Sequence, residues 1–165
     1  MEVTRFNIDG VGEWEISIAD TVYPPREDTM MLCRAVSKLS KGTDSKAIEI
    51  GCGSGLVSMV LKTLGWEVTA YDVNPYAVAC TRGNMEANGL LSGTVEIIEA
   101  EFGKDFPIPE DTDLIVWNLP YLDEDVNNPA ILEKIEEAAM NDIKDGGWGG
   151  ALPVSYTHLT LPTNR

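Results

Sequence analysis

Ala47-Ile48-Glu49-Ile50-Gly51-Cys52-Gly53-Ser54-Gly55 is the stretch on which the fold turns. A short, mostly apolar strand runs into a loop with glycine at every second position. Lacking a Cβ, those positions allow a tight turn and let the backbone approach a ligand closely. Leu56-Val57-Ser58-Met59-Val60-Leu61 then reads as a helix, whose first N–H groups would face whatever lies in the loop. The pattern recurs along the chain. Strands over 47–50, 67–71, 95–99 and 113–117 are interleaved with helices over 55–64 and 75–88. Such alternation predicts a parallel sheet with right-handed crossovers. Upstream, Val3 to Ile8 and Trp14 to Ile18, joined by Asp9-Gly10-Val11-Gly12, predict a β-hairpin. Asp28 to Leu39 predicts a helix that packs Met31, Leu32, Ala35, Val36 and Leu39, and Ile131 to Ile143 a further helix. No internal repeat is visible.

The loop chemistry narrows the ligand. A dinucleotide site asks for Gly-x-Gly-x-x-Gly. Here the third glycine comes one residue early and Leu56 stands where it should be. That spacing speaks against nicotinamide and flavin, and for S-adenosylmethionine, which carries no pyrophosphate. Glu49 agrees: a carboxylate at the end of a buried strand is costly unless it meets a cation or donors, and a sulfonium ligand with an ammonium group supplies both. Gly51, Gly53 and Gly55 would line the cofactor. Asp72 closes the strand that starts at Glu67, 23 residues beyond Glu49. An acid about 20 residues past such a loop commonly holds the ribose hydroxyls; Asp72 also suits the cap of a helix starting at Asn74-Pro75. Glu101 and Phe102, just past the third strand, are placed to meet the adenine amine and ring, or to form an ordinary acidic loop.

The other half of the site is Asn118-Leu119-Pro120-Tyr121, directly after Asp113-Leu114-Ile115-Val116-Trp117. An amide or aromatic amine nitrogen has a delocalised lone pair and is a poor nucleophile. Two acceptors that hold its hydrogens orient it and shift it towards tetrahedral geometry. The Asn118 side chain and the Leu119 backbone carbonyl offer them. Pro120 fixes φ, and Tyr121 gives a flat face for a planar group. Orientation of this kind supplies a large share of a methyl-transfer barrier.

Glu49-x-Gly51-x-Gly53-x-Gly55, Asp72 and Asn118-Leu119-Pro120-Tyr121 together resemble the class I S-adenosylmethionine-dependent methyltransferases. Within them the chain is similar to the HemK family, glutamine methyltransferases of peptide-chain release factors. Tyr23-Pro24-Pro25-Arg26-Glu27-Asp28-Thr29 resembles the Tyr-x-Pro-x-Glu-Asp-Thr segment of the archaeal and eukaryotic branch. That branch lacks the N-terminal helical domain of the bacterial enzymes, and Tyr23 stands close to the first residue here. The resemblance runs over roughly residues 20 to 125. It implies an α/β, Rossmann-like sheet whose first four strands are ordered 3-2-1-4, preceded by the hairpin and first helix. It implies Glu27, Asp28 and Thr29 at the cofactor or substrate mouth, and Glu49, Gly51, Gly53, Asp72 and Glu101 on the cofactor. Asn118 to Tyr121 would hold the glutamine, with a small zinc-binding activator subunit as partner. Leu119 stands where the family usually has proline. The rival readings are methylation of an adenine or guanine amine in DNA or RNA, and a cofactor-binding protein without catalysis.

Composition sets the outer bounds. At 165 residues, 44% apolar, the chain is expected to form one domain. No apolar run approaches the roughly 18 residues that span a membrane, and no signal peptide opens the chain. Three widely spaced cysteines suggest a reducing, cytoplasmic setting rather than disulfides or a metal site. A net charge of −15 with twelve scattered Lys and Arg weighs against a nucleic-acid substrate and suits a protein one. The chain contains no glutamine, so it cannot methylate itself there. Residues 154–165, beginning Val154-Ser155-Tyr156-Thr157-His158-Leu159, read as a translated transposon-end sequencing adapter. The methyltransferase domain is then 1–153 and incomplete, ending near the fourth of seven expected strands. That strand would have an unpaired edge, the piece would fold poorly and lack activity, and His158 would have no role.

Overall fold

A computed structural model of the chain describes residues 3–39, 42–100 and 108–118, together with the backbone of 157–160. β1 (Val3–Ile8) and β2 (Gly12–Ser17) form an antiparallel hairpin with Phe6 opposite Trp14. Gly10, at φ +77°, turns the loop, closed by Val11 N–H donating to Ile8 O. The hairpin's alternating pattern buries Ile8, Trp14 and Ile16 on one side.

β3 (Lys46–Ile50), β4 (Glu67–Asp72), β5 (Val95–Glu99) and β6 (Leu114–Asn118) are the four expected strands, parallel and ordered β5-β4-β3-β6. This is the 3-2-1-4 order. β3 and β6 are neighbours in space though far apart in sequence, so the chain reverses its direction of travel across the sheet between them. Ligands of open α/β sheets bind at such a point, beyond the carboxyl ends of the strands. The expectation of an unpaired edge on the fourth strand is corrected: β7 (Thr157–Thr160) pairs antiparallel with β6, Val116 opposite Leu159. An open row of strand N–H and C=O groups accepts whatever extended segment reaches it.

Three helices cover one face. α1 (Glu27–Val36) ends three residues before the expected Leu39, and its Met31 and Ala35 are exposed rather than packed; Met30 meets the core instead, beside buried Leu32, Cys33 and Val36. Glu27 and Asp28 lie in its first turn, where the helix dipole favours negative charge. α2 (Leu56–Thr63) buries every residue from Leu56 to Leu61, as a helix does when enclosed on all sides. α3 (Pro75–Ala87) begins with Pro75 in its first turn, behind Asn74, whose Oδ1 accepts from Tyr76 N–H at 2.9 Å. The other face of the sheet carries a separate apolar cluster of Ile48, Ile50 and Tyr71 with Ile98, Ile115 and Trp117 against it. The helix expected at 131–143 lies outside the described residues. No described helix is long and apolar enough to cross a membrane.

Two asparagines one turn apart on α3 seat the hairpin. Asn84 accepts from Ser17 N–H (2.9 Å) and donates to Ser17 O (2.9 Å). Asn88 accepts from Glu15 N–H (3.1 Å) and donates to Glu15 O (2.8 Å). Asn84 also donates to Ser54 O in the glycine loop at 2.9 Å, so one buried side chain ties hairpin, helix and loop together. Truncating it removes the Asn84 bonds to Ser17 N–H and Ser54 O and leaves Ser17 O only the thiol of Cys80. Asn84→Ala is expected to lower stability by about 2–4 kcal/mol, read as a lower midpoint in urea unfolding.

Candidate functional site

The loop after β3 has nearly all its polar backbone groups assigned. Gly51 N–H and Cys52 N–H both donate to Tyr71 O on the neighbouring strand (2.8 and 3.0 Å), and Gly55 N–H donates to Cys52 O. Gly53 N–H donates to Asp72 Oδ2 at 2.9 Å. Thr81 Oγ1 donates to Gly53 O at 3.0 Å. Gly51, Gly53 and Gly55 all have positive φ. Their surroundings differ. Among the described residues a Cβ on Gly51 would meet nothing within 4 Å, whereas one on Gly55 would lie 2.9 Å from Thr81 Cγ2. Gly51 thus borders open space above the strand end, and the bareness of Gly55 serves the packing of the loop on α3.

Asp72 leaves the cap of α3 to Asn74. It closes β4 at the same rim, and its two oxygens accept from Gly53 N–H and Asn74 N–H, each at 2.9 Å. Asn74 is the cap of α3, and its amide also donates to Thr21 O. A carboxylate has about four acceptor positions, so Asp72 keeps capacity for further donors such as hydroxyls. Burial raises its pKa above the ordinary value, and the N–H groups of Gly53, Asn74 and Val73 pull it back.

Glu49 sits on the helix-covered face of β3, opposite Ala70 on one side and Val116 on the other. It is buried, with Ser58 Oγ from α2 donating to its Oε2. Burial is the largest influence and pushes its pKa from 4.5 up to about 8; Ser58 opposes this and the Asp72 charge adds to it. The strand end therefore holds a buried acid whose ionisation near neutral pH a nearby cation would favour. Ser58, Asn74, Thr81 and Asn84 were not singled out in the sequence for this site. A serine inside the apolar run of α2 was the readable signal for the first.

Asn118 ends β6 on the same face. Its Nδ2 donates to Asp28 Oδ2 at 3.0 Å and approaches Thr29 Oγ1 at 3.5 Å. Among the described residues its buried Oδ1 has no hydrogen-bond partner, a condition that only Trp66 Nε1 shares there. The first turn of α1 thus meets the end of β6, so Asp28 and Thr29 touch the expected clamp, while Glu27 is exposed beside them. The rim gathers Glu49, Gly51, Gly53, Asp72, Asn118, Asp28 and Thr29. Glu101, Phe102, Leu119, Pro120 and Tyr121 lie outside the described residues.

The fold is that of the class I S-adenosylmethionine-dependent methyltransferases. A family model described as a methyltransferase small domain matches residues 29–162, and the chain belongs to that family. The ribosomal RNA small subunit methyltransferase C of Alcanivorax borkumensis is 30% identical over 123 residues, 73% of this chain and 36% of that protein. The release factor glutamine methyltransferase of Shewanella oneidensis is 32% identical over 109 residues, 65% of this chain and 37% of that protein. A 16S rRNA N2 methyltransferase of T. thermophilus, solved with AdoMet and guanosine, superposes with a TM-score of 0.63 at 18% identity, over 84% of this chain and 38% of the other. The chain spans little more than a third of the length of these proteins.

The raised pKa of Glu49 has a stability consequence. Between about pH 4.5 and 8 the folded carboxyl keeps a proton that the unfolded chain has lost, so ligand-free stability falls as pH rises through that window. Glu49→Gln removes this contribution. Its melting temperature is expected to exceed that of the wild type at about pH 8.5 and to approach it at about pH 4, measured by calorimetry without ligand.

Proposed function

We propose that this chain is part of an enzyme that transfers a methyl group from S-adenosylmethionine to the side-chain amide nitrogen of a glutamine in a peptide-chain release factor. The observation that carries the reading is the unpartnered, buried Oδ1 of Asn118 at the same sheet edge as Glu49, Asp72 and the glycine loop. A buried acceptor without a donor is costly, and an incoming N–H would satisfy it. A cationic cofactor fits the other half. Glu49 would become a carboxylate against its ammonium group, Asp72 would accept from ribose hydroxyls, and the open side of Gly51 would let its chain lie on the backbone. When bound, S-adenosylmethionine supplies an electrophilic methyl group. The residues of this chain hold and aim the nucleophile: Asn118 Oδ1 takes one amide hydrogen, the Leu119 carbonyl the other, and Pro120 and Tyr121 fix the plane. Glu101 and Phe102 would complete the adenine side.

The stretch from Tyr23 to Thr29, whose Asp28 and Thr29 reach the clamp, supports the branch, and the relative from Shewanella oneidensis supports the substrate. A cytoplasmic setting and a small zinc-binding activator subunit belong to the same proposal. The second reading, an amine of a base in ribosomal RNA, is favoured by the relative from Alcanivorax borkumensis and opposed by the net charge of −15, since RNA backbones select basic surfaces.

We also propose that residues 154–165 are not native to the domain. Re-amplifying the gene across this region decides it: a genomic reading frame that encodes Val154 to Arg165 would make β7 a genuine edge strand. The product of that gene, given methyl-labelled S-adenosylmethionine, a release factor, bulk RNA and bulk DNA, is expected to label a glutamine of the release factor. Label in RNA or DNA would keep the chemistry assigned to Asn118 and replace the substrate. Cofactor binding with no labelled product would leave a binding protein.

A further inference from the structure

Asn118 can serve as an acceptor for a substrate amine only if its amide is turned the right way. The two orientations of a side-chain amide have almost the same shape and differ only in which of oxygen and nitrogen faces the site. The wrong orientation would present an NH2 group to an NH2 group. We infer that Asp28 is a positioning residue, which fixes the Asn118 amide with its nitrogen on α1 and its oxygen free for the nitrogen to be methylated.

The assignment follows from the chemistry of the pair. An ionised carboxylate only accepts, so the atom 3.0 Å from Asp28 Oδ2 has to be Nδ2. Turning the amide over would bring its oxygen against a carboxylate oxygen and replace attraction by repulsion. Asp28 is itself held. It lies in the first turn of α1, where the unpaired N–H groups favour negative charge. Thr29 Oγ1 lies 3.5 Å from its other oxygen and 3.4 Å from Arg26 N. The consequence appears on the far side of the amide, where Oδ1 is buried and without a partner. Asp28, expected from the sequence at the cofactor or substrate mouth, is thereby assigned to the clamp.

This inference rests on the proposed function for its purpose, but its geometry can be tested separately. In the 15N-labelled full chain, the Asn118 side-chain NH2 signals, identified by their loss in Asn118→Ala, should be well separated and slow to exchange. In Asp28→Ala they should move to free-amide positions, while the Kd for S-adenosylmethionine stays within about twofold. Asp28→Asn, which can still accept from Nδ2 but can also donate, should fall between them. In turnover, Asp28→Ala should lower kcat by about a hundredfold, as a misplaced reacting group does, with KM for the cofactor unchanged. Unaltered Asn118 signals in Asp28→Ala would overturn the inference, as would a parallel loss of cofactor affinity, which would put Asp28 on the cofactor. If the wild type methylates neither glutamine nor nucleic acid, the proposed function fails, and the NH2 signals still decide the role of Asp28.

Discussion

The bond from Gly53 N–H to the Asp72 carboxylate links the ends of two neighbouring strands, and the rest of the rim depends on it. It holds the turn between β3 and α2 against the end of β4, while Tyr71 O takes the two preceding N–H groups of the same turn. Asp72 then passes the constraint on to Asn74 and so to the start of α3. A loop of glycines would otherwise be the most mobile part of the chain, because glycine loses the most conformational freedom on ordering. Here its freedom is used to reach positive φ and is then removed by hydrogen bonds to fixed neighbours.

The same rim concentrates acidic groups in a place where burial disfavours their charge. Burial disfavours ionisation of both Glu49 and Asp72; the Asp72 charge adds to the cost at Glu49, and N–H donors offset it at Asp72. Such an arrangement is a poor way to stabilise a fold and a good way to bind a ligand that brings positive charge, because the ligand relieves a penalty already present. Asn118 follows the same logic with a neutral group. Among the described residues its buried oxygen has no partner, a deficit that a hydrogen-bond donor would relieve.

Much of this was legible before the structure. The alternation of strands and helices gave the four parallel strands, and the spacing of Glu49, Gly51, Gly53 and Asp72 brought them to one edge because all lie at the carboxyl ends of adjacent strands. Asn118 was legible for the same reason. The partnerships were not. Asp28 and Asn118 are ninety positions apart, and nothing in either local sequence says that the first turn of α1 will face the end of β6. Ser58 could be noticed as a polar residue in an apolar helix, but its acceptor depends on how α2 crosses β3. Met31 was misjudged because helical periodicity could not tell which of two adjacent methionines would face the core. The edge pairing of β7 was missed because hydrogen bonding between strands uses main-chain groups, which the side-chain pattern of a segment does not reveal.

The seat of the hairpin carries a separate consequence. Asn84 and Asn88 grip β2 through the main chain of Ser17 and Glu15 and leave the side chains of those two residues out of the bargain. Almost any residue other than proline, which lacks the N–H, can stand at positions 15 and 17 and be held equally well. The hairpin is therefore free to change its outward chemistry while it remains docked, provided that α3 keeps its two amides and the hairpin its apolar side. The family match begins at residue 29, beyond the hairpin. An attachment that reads backbone alone lets a shared core carry a different decoration from one lineage to the next.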